Sequence, residues 1–155
     1  AAFAPDWYND DARQQIYPFF RYIDRDLFTA DYLGDYFLSC LPLGFRGVYT
    51  LTAWAGVDPT IISKVLPHLL AMVTVVCVAI AAHAVGGKPA AITAAALALG
   101  SSLYLTRMAG GLPRAFGFPF VAAMMAALAT GRFRGCAALV VFAAALDGAC
   151  CCNNV

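Results

Sequence analysis

The stretch Asp58-Pro59-Thr60-Ile61-Ile62-Ser63-Lys64, which runs into Val65-Leu66-Pro67-His68 and closes on Ala81-Ala82-His83-Ala84-Val85, decides the fold. Asp58 is a good helix cap, and Pro59 suits the first helical position, where an amide hydrogen would have no partner. The 21 residues 65–85 contain no Asp, Glu, Lys or Arg. At about 1.5 Å per residue such a helix crosses a hydrocarbon core of roughly 30 Å. The predicted helix starts at Pro59, bends at Pro67 where one backbone hydrogen bond is lost, and ends near Val85. A buried helix of a soluble domain would share this pattern. Three more apolar runs follow, at 90–106, 118–130 and 136–146, and together they point to a membrane protein.

Composition agrees, with 62% hydrophobic and 12% charged residues against about 25% charged in soluble domains. Residues 1–60 hold eight of the nine acids, all Asp, with four Arg, whereas residues 61–155 hold one Asp and six Lys or Arg. The fold class is therefore read as all-α, with multipass transmembrane helices preceded by an amphipathic, interfacial helical region. The divisions are 1–58 (interfacial), 59–149 (about four spans) and 150–155 (tail). No basic tract calls for nucleic acid. The start at Ala1, the missing signal-peptide pattern and the abrupt Cys150-Cys151-Cys152 ending are read as marks of a fragment with its remaining helices elsewhere. The tail is taken as a truncated or out-of-frame end, with acylation or metal binding as the alternative. Cys40, Cys77 and Cys136 are isolated, so no disulfide framework is implied.

Upstream, Ile16, Phe19, Phe20, Ile23 and Leu27 recur at helical spacing behind Asn9-Asp10-Asp11. An amphipathic surface helix is expected, capped by Asn9 or Asp10 and tolerating Pro18 only in its first turn. Gly86-Gly87-Lys88-Pro89 and Gly131-Arg132-Phe133-Arg134-Gly135 read as turns. The third run is too short to span unless it begins near Leu112. Lys88, Arg132 and Arg134 fall at one end of the helices and Lys64, Arg107 and Arg114 at the other, so charge alone does not orient the chain.

Adjacent Asp10 and Asp11 point about 100° apart on a helix, so they would not share a proton as a facing pair does. One can cap the helix while the other serves as a base or metal ligand; two solvated capping acids are the plainer alternative. Asn9-Asp10-Asp11-Ala12-Arg13-Gln14, Tyr17-Pro18-Phe19-Phe20, Asp26-Leu27-Phe28 and Asp31-Tyr32-Leu33-Gly34-Asp35-Tyr36-Phe37 then precede a membrane helix. This string resembles the first extracytoplasmic loop of bacterial GT-C-class glycosyltransferases, which use polyprenyl-phosphate sugars as donors. The resemblance implies Asp11 or Asp10 as catalytic acid and, if a divalent cation serves as cofactor, as its ligand. It also implies an inner-membrane location with residues 1–58 outside the cytoplasm, and a lipid-linked sugar and the bilayer as partners. Arg107, Arg114 and Arg13 become candidate contacts to the donor phosphate, since the planar guanidinium matches phosphate oxygens. Snorkelling to headgroups is the alternative for such arginines, and His68 reads as an interfacial histidine. The competing function is a non-enzymatic multipass protein, a transporter or an assembly subunit.

Overall fold

The computed structural model describes residues 14–24, 26–27, 31–109 and 111–148, and within them every regular element is helical. A short 3₁₀ helix, Tyr17–Tyr22, is followed by α1 (Tyr32–Cys40), α2 (Leu43–Trp54), α3 (Pro59–Gly100), α4 (Ser102–Met108), α5 (Pro113–Ala129) and α6 (Phe133–Gly148).

Residues 16–24 and 31–54 form a cap. The predicted surface helix reaching Leu27 is corrected here. Residues 14–16 are α-helical and pass directly into the 3₁₀ segment, which has Pro18 in its first turn and closes when the Ile23 and Asp24 amides both donate to Phe20 O. Ile16 and Phe19 are buried, but Ile23 and Leu27, which continue the stripe in sequence, are exposed. The Asp24 side chain accepts from the Asp26 amide at 3.0 Å, a local turn that competes with helix. Asp31 caps α1 by accepting from Leu33 N at 3.0 Å. The cap core comprises Ile16, Phe19, Leu38, Leu41, Phe45 and Tyr49, joined by Leu112 from beyond the long helix. Its rings interlock, with Phe19–Tyr49 centroids 5.2 Å apart and Phe45–Tyr49 4.6 Å apart, distances at which aromatic pairs attract.

The long helix begins where the sequence places it. Asp58 Oδ1 accepts from Thr60 N at 2.7 Å and from Thr60 Oγ1 at 2.6 Å, and Pro59 is buried. Pro67 does not interrupt it; the only interior residue outside helical dihedrals is Gly87, at φ 70° and ψ −162°. There the chain reverses. Tyr104 Oη donates to Ala71 O at 3.4 Å, although 33 residues of straight helix would separate them by about 50 Å. Ala98 likewise shares a cavity wall with Thr74. α3 is thus two arms, 59–86 and 88–100, folded against each other about Gly87.

The run 90–106, expected as one helix, is split. Ser101 leaves helical geometry and its hydroxyl accepts from Tyr104 N, which starts α4 anew. α5 begins at Pro113, as its length required, and runs alongside the first arm. It ends in a left-handed Gly131 (φ 72°), with Arg132 N donating to Ala127 O at 2.8 Å. α6 returns toward the cap, so that Ala143 and Phe45 line one cavity. Of the described helices, one is long and apolar enough to cross a membrane, Pro59–Gly100, and only 11% of its most apolar stretch is buried within the protein. Of the expected multipass arrangement, one span is supported here; α5 and α6, with 17 and 16 residues, are shorter apolar helices.

Candidate lipid-phosphate site

Two arginines flank a loop that is unusually well buried. Arg107 lies in the last turn of α4, where a cation is favoured by the helix dipole, and its side chain is exposed. Arg114 is the second residue of α5 and is also exposed. Between them Met108, Ala109, Gly111 and Leu112 are buried, as is Ala115 just beyond. Loops normally lie on the surface, because buried backbone polar groups need partners. Here Tyr49 supplies one, its hydroxyl donating to Gly111 O at 3.1 Å. Burial pushes the Tyr49 hydroxyl well above the usual tyrosine range, so it remains a protonated donor.

Gly111 is fixed by both conformation and space. Its φ of 60° is left-handed, and an added Cβ would stand 2.8 Å from Tyr49 Oη and 3.0 Å from Ser63 O. Ser63 O is the carbonyl that Pro67, lacking an amide hydrogen, leaves without its helical donor. The cap, the first arm and the arginine-flanked loop meet at this point.

Arg114 sits between two apolar cavities of about 490 Å³ each, which lie on adjacent faces of α5 and share Arg114, Gly117 and Val121. The first is walled by Thr74 and Val78 of one arm, Ala98 of the other, Tyr104 of α4, and Phe118 and Met125. Tyr104 and Phe118 meet edge to face at 5.4 Å. The second is walled by Pro42, Gly44 and Phe45 of the cap, by Phe116 and Phe120, and by Ala143 of α6. In both linings Arg114 is the one charged residue among those described. It stands in a first helical turn, where the partly positive helix start and the guanidinium fork both suit an anion.

The sequence-predicted residues are only partly assembled. Arg107 and Arg114 are brought to the same loop, at the cap end of the arms. Asp10, Asp11 and Arg13, with the cysteine tail, lie outside the described residues. No cluster of three or more potential metal ligands occurs among the described residues. His68 is exposed, with Nδ1 2.8 Å from Lys64 O in its own helix, a local contact. The residues missed by sequence reasoning are Tyr49, Gly111 and Tyr104. Gly110-Gly111-Leu112-Pro113 announced a turn, but nothing local announced its burial. Comparison with known proteins finds no matching family model, no similar curated protein and no similar solved structure.

Proposed function

We propose that this chain is part of an integral membrane glycosyltransferase-like protein that takes a sugar from a polyprenyl-phosphate donor on the extracytoplasmic side. The observation that carries the reading is Arg114, a cation at a helix start, facing two apolar cavities beneath an aromatic cap. That combination suits a molecule with a phosphate at one end and hydrocarbon at the other. In this reading both arms of α3, α5 and α6 cross the bilayer. The cap lies at the outer interface, and Lys88, Arg132 and Arg134 face the cytoplasm. Arg114 and Arg107 hold the donor phosphate, with Arg13 joining them from upstream. An acceptor hydroxyl oxygen attacks the anomeric carbon as the bond from that carbon to the phosphate oxygen breaks. The bonding pair leaves with the polyprenyl phosphate, whose charge the arginines stabilise. Asp11 takes the hydroxyl proton while Asp10 caps the helix.

The test uses full-length protein in vesicles carrying a polyprenyl-phosphate sugar. Arg114→Gln should weaken donor binding at least about tenfold, the scale expected when a charge-assisted pair is lost. Asp11→Asn should abolish transfer with expression intact, and Asp10→Asn should be tolerated because Asn caps nearly as well. Unchanged donor binding in Arg114→Gln would defeat the reading. Equal activity in both Asp variants and their double mutant would reduce the acids to a cap.

The non-enzymatic alternative has one supporting observation. The outer face of the first arm carries Ile61, Val65, Leu69, Met72, Val76 and Ile80, all exposed, a surface as suited to packing in an assembly as to lipid. Full donor binding without any transfer in the native protein would favour it.

A further inference from the structure

We propose that Tyr49 is a positioning residue for the arginine pair, setting the geometry of anion capture from across the cap. The inference rests on reading Arg114 as a phosphate contact, and it adds a role for a residue with no access to the phosphate itself. Tyr49 is fully buried and 62 positions from the carbonyl it bonds. Its partner Gly111 stands three residues before Arg114 and four after Arg107. The described residues between the two arginines are packed in place. Met108, Ala109 and Leu112 are buried against the helices, and Gly111 is pressed against the Ser63 backbone. Leu112 belongs to the same cluster as Phe19, Phe45 and Tyr49, so the loop and the cap share one core.

A loop held at one carbonyl and by its apolar side chains cannot shift without moving both arginine backbones. The hydroxyl therefore fixes where the guanidinium groups emerge. Without it, Gly111 O is a buried acceptor seeking a new partner, which favours displacement of the loop. Phe45 extends the connection. Its ring packs on Tyr49 on one side and meets Phe116 of α5 edge to face at 6.0 Å on the other. Both the start of α5 and the loop before it are thus referenced to the cap aromatics rather than to the bilayer.

The experiment is a double-mutant cycle on the full-length protein in nanodiscs of neutral phospholipid, with a long-chain polyprenyl monophosphate as probe. Dissociation constant and melting temperature are read for wild type, Tyr49→Phe, Arg114→Gln and the double variant. Tyr49→Phe should weaken binding about fivefold, the size of one hydrogen bond. In the Arg114→Gln background it should weaken binding no further, while lowering the melting temperature equally in both backgrounds. Replacing Tyr49 by para-aminophenylalanine, which keeps the ring and a donor, should restore binding. An unchanged constant in Tyr49→Phe, the same fivefold loss in both backgrounds, or no rescue by the donor-bearing ring would each overturn the inference. Those results leave the donor reading intact so long as Arg114→Gln alone weakens binding. An Arg114→Gln protein that binds like wild type instead removes that reading itself.

Discussion

The cap and the helical arms bury opposite kinds of side chain. In the cap the interior is made of large groups, Phe19, Phe45, Tyr49, Ile16 and Leu38. In the arms the interior is small or ring-shaped: Pro59, Ser63, Pro67 and Thr74 in α3, and Ala115, Pro119, Ala122 and Ala126 in α5. Many large apolar residues of these two helices face outward instead, among them Met72 of α3 at 66%, and Val121 at 58% and Met125 at 55% exposure in α5. Water would select the first arrangement, because it drives large apolar groups inside. Hydrocarbon gives no such drive, so helices associate through small residues that let backbones approach. The kind of side chain that is buried changes near Asp58, as the proposed membrane reading requires.

The largest effect that tests this contrast lies in the cap. Phe45→Ala should cost about 3–5 kcal/mol, as for other buried aromatic truncations, and should abolish cooperative unfolding of the cap in a thermal melt. Next is Val73→Arg on the outward face of the first arm, half exposed and near its middle. In a membrane-insertion assay it should cost about 2.5–3.5 kcal/mol, whereas on a water-facing surface the change would stay within about 0.5 kcal/mol. Wild-type insertion and stability in Val73→Arg would break the comparison. Overpacking the seam is a smaller perturbation. Ala122→Leu should destabilise by about 1–3 kcal/mol in detergent denaturation, while the neighbouring outward change Val121→Ala should be nearly silent. Smallest is the boundary residue. Asp58→Ala should lose about 1 kcal/mol and Asp58→Asn almost nothing, read by the same denaturation.

Much of the helical framework could be read locally. Asp58-Pro59 marks a start with a side-chain acceptor and a ring that needs no amide hydrogen, and the structure places both as expected. Gly87 and Gly131 mark reversals because each takes a left-handed backbone that other residues resist. The break at Ser101 was hidden because the flanking residues are apolar and the capping hydroxyl has the same appearance as any small polar side chain within a span. The 3₁₀ geometry after Pro18 was hidden for a different reason. A stripe at helical spacing does not reveal whether its far end finds a neighbour, and Ile23 and Leu27 find none in the cap core. The candidate site was legible as two arginines around a glycine-rich loop. Its anchor was not, since the Tyr49–Gly111 bond joins distant residues and leaves no periodic trace. The acidic pair stays a matter of sequence, lying outside the described residues.

The reversal at Gly87 has a consequence for biogenesis. The arms on either side are joined by a single non-helical residue, so there is no loop long enough to rest on one side while an arm is threaded alone. In the proposed reading the arms partition as a hairpin, and the one charge carried at the tip is Lys88, whose long stem can reach back to the headgroups. Topology is then settled in one step for both arms. A glycosylation acceptor inserted at the tip should report a single orientation, and mixed labelling would show that the arms enter independently.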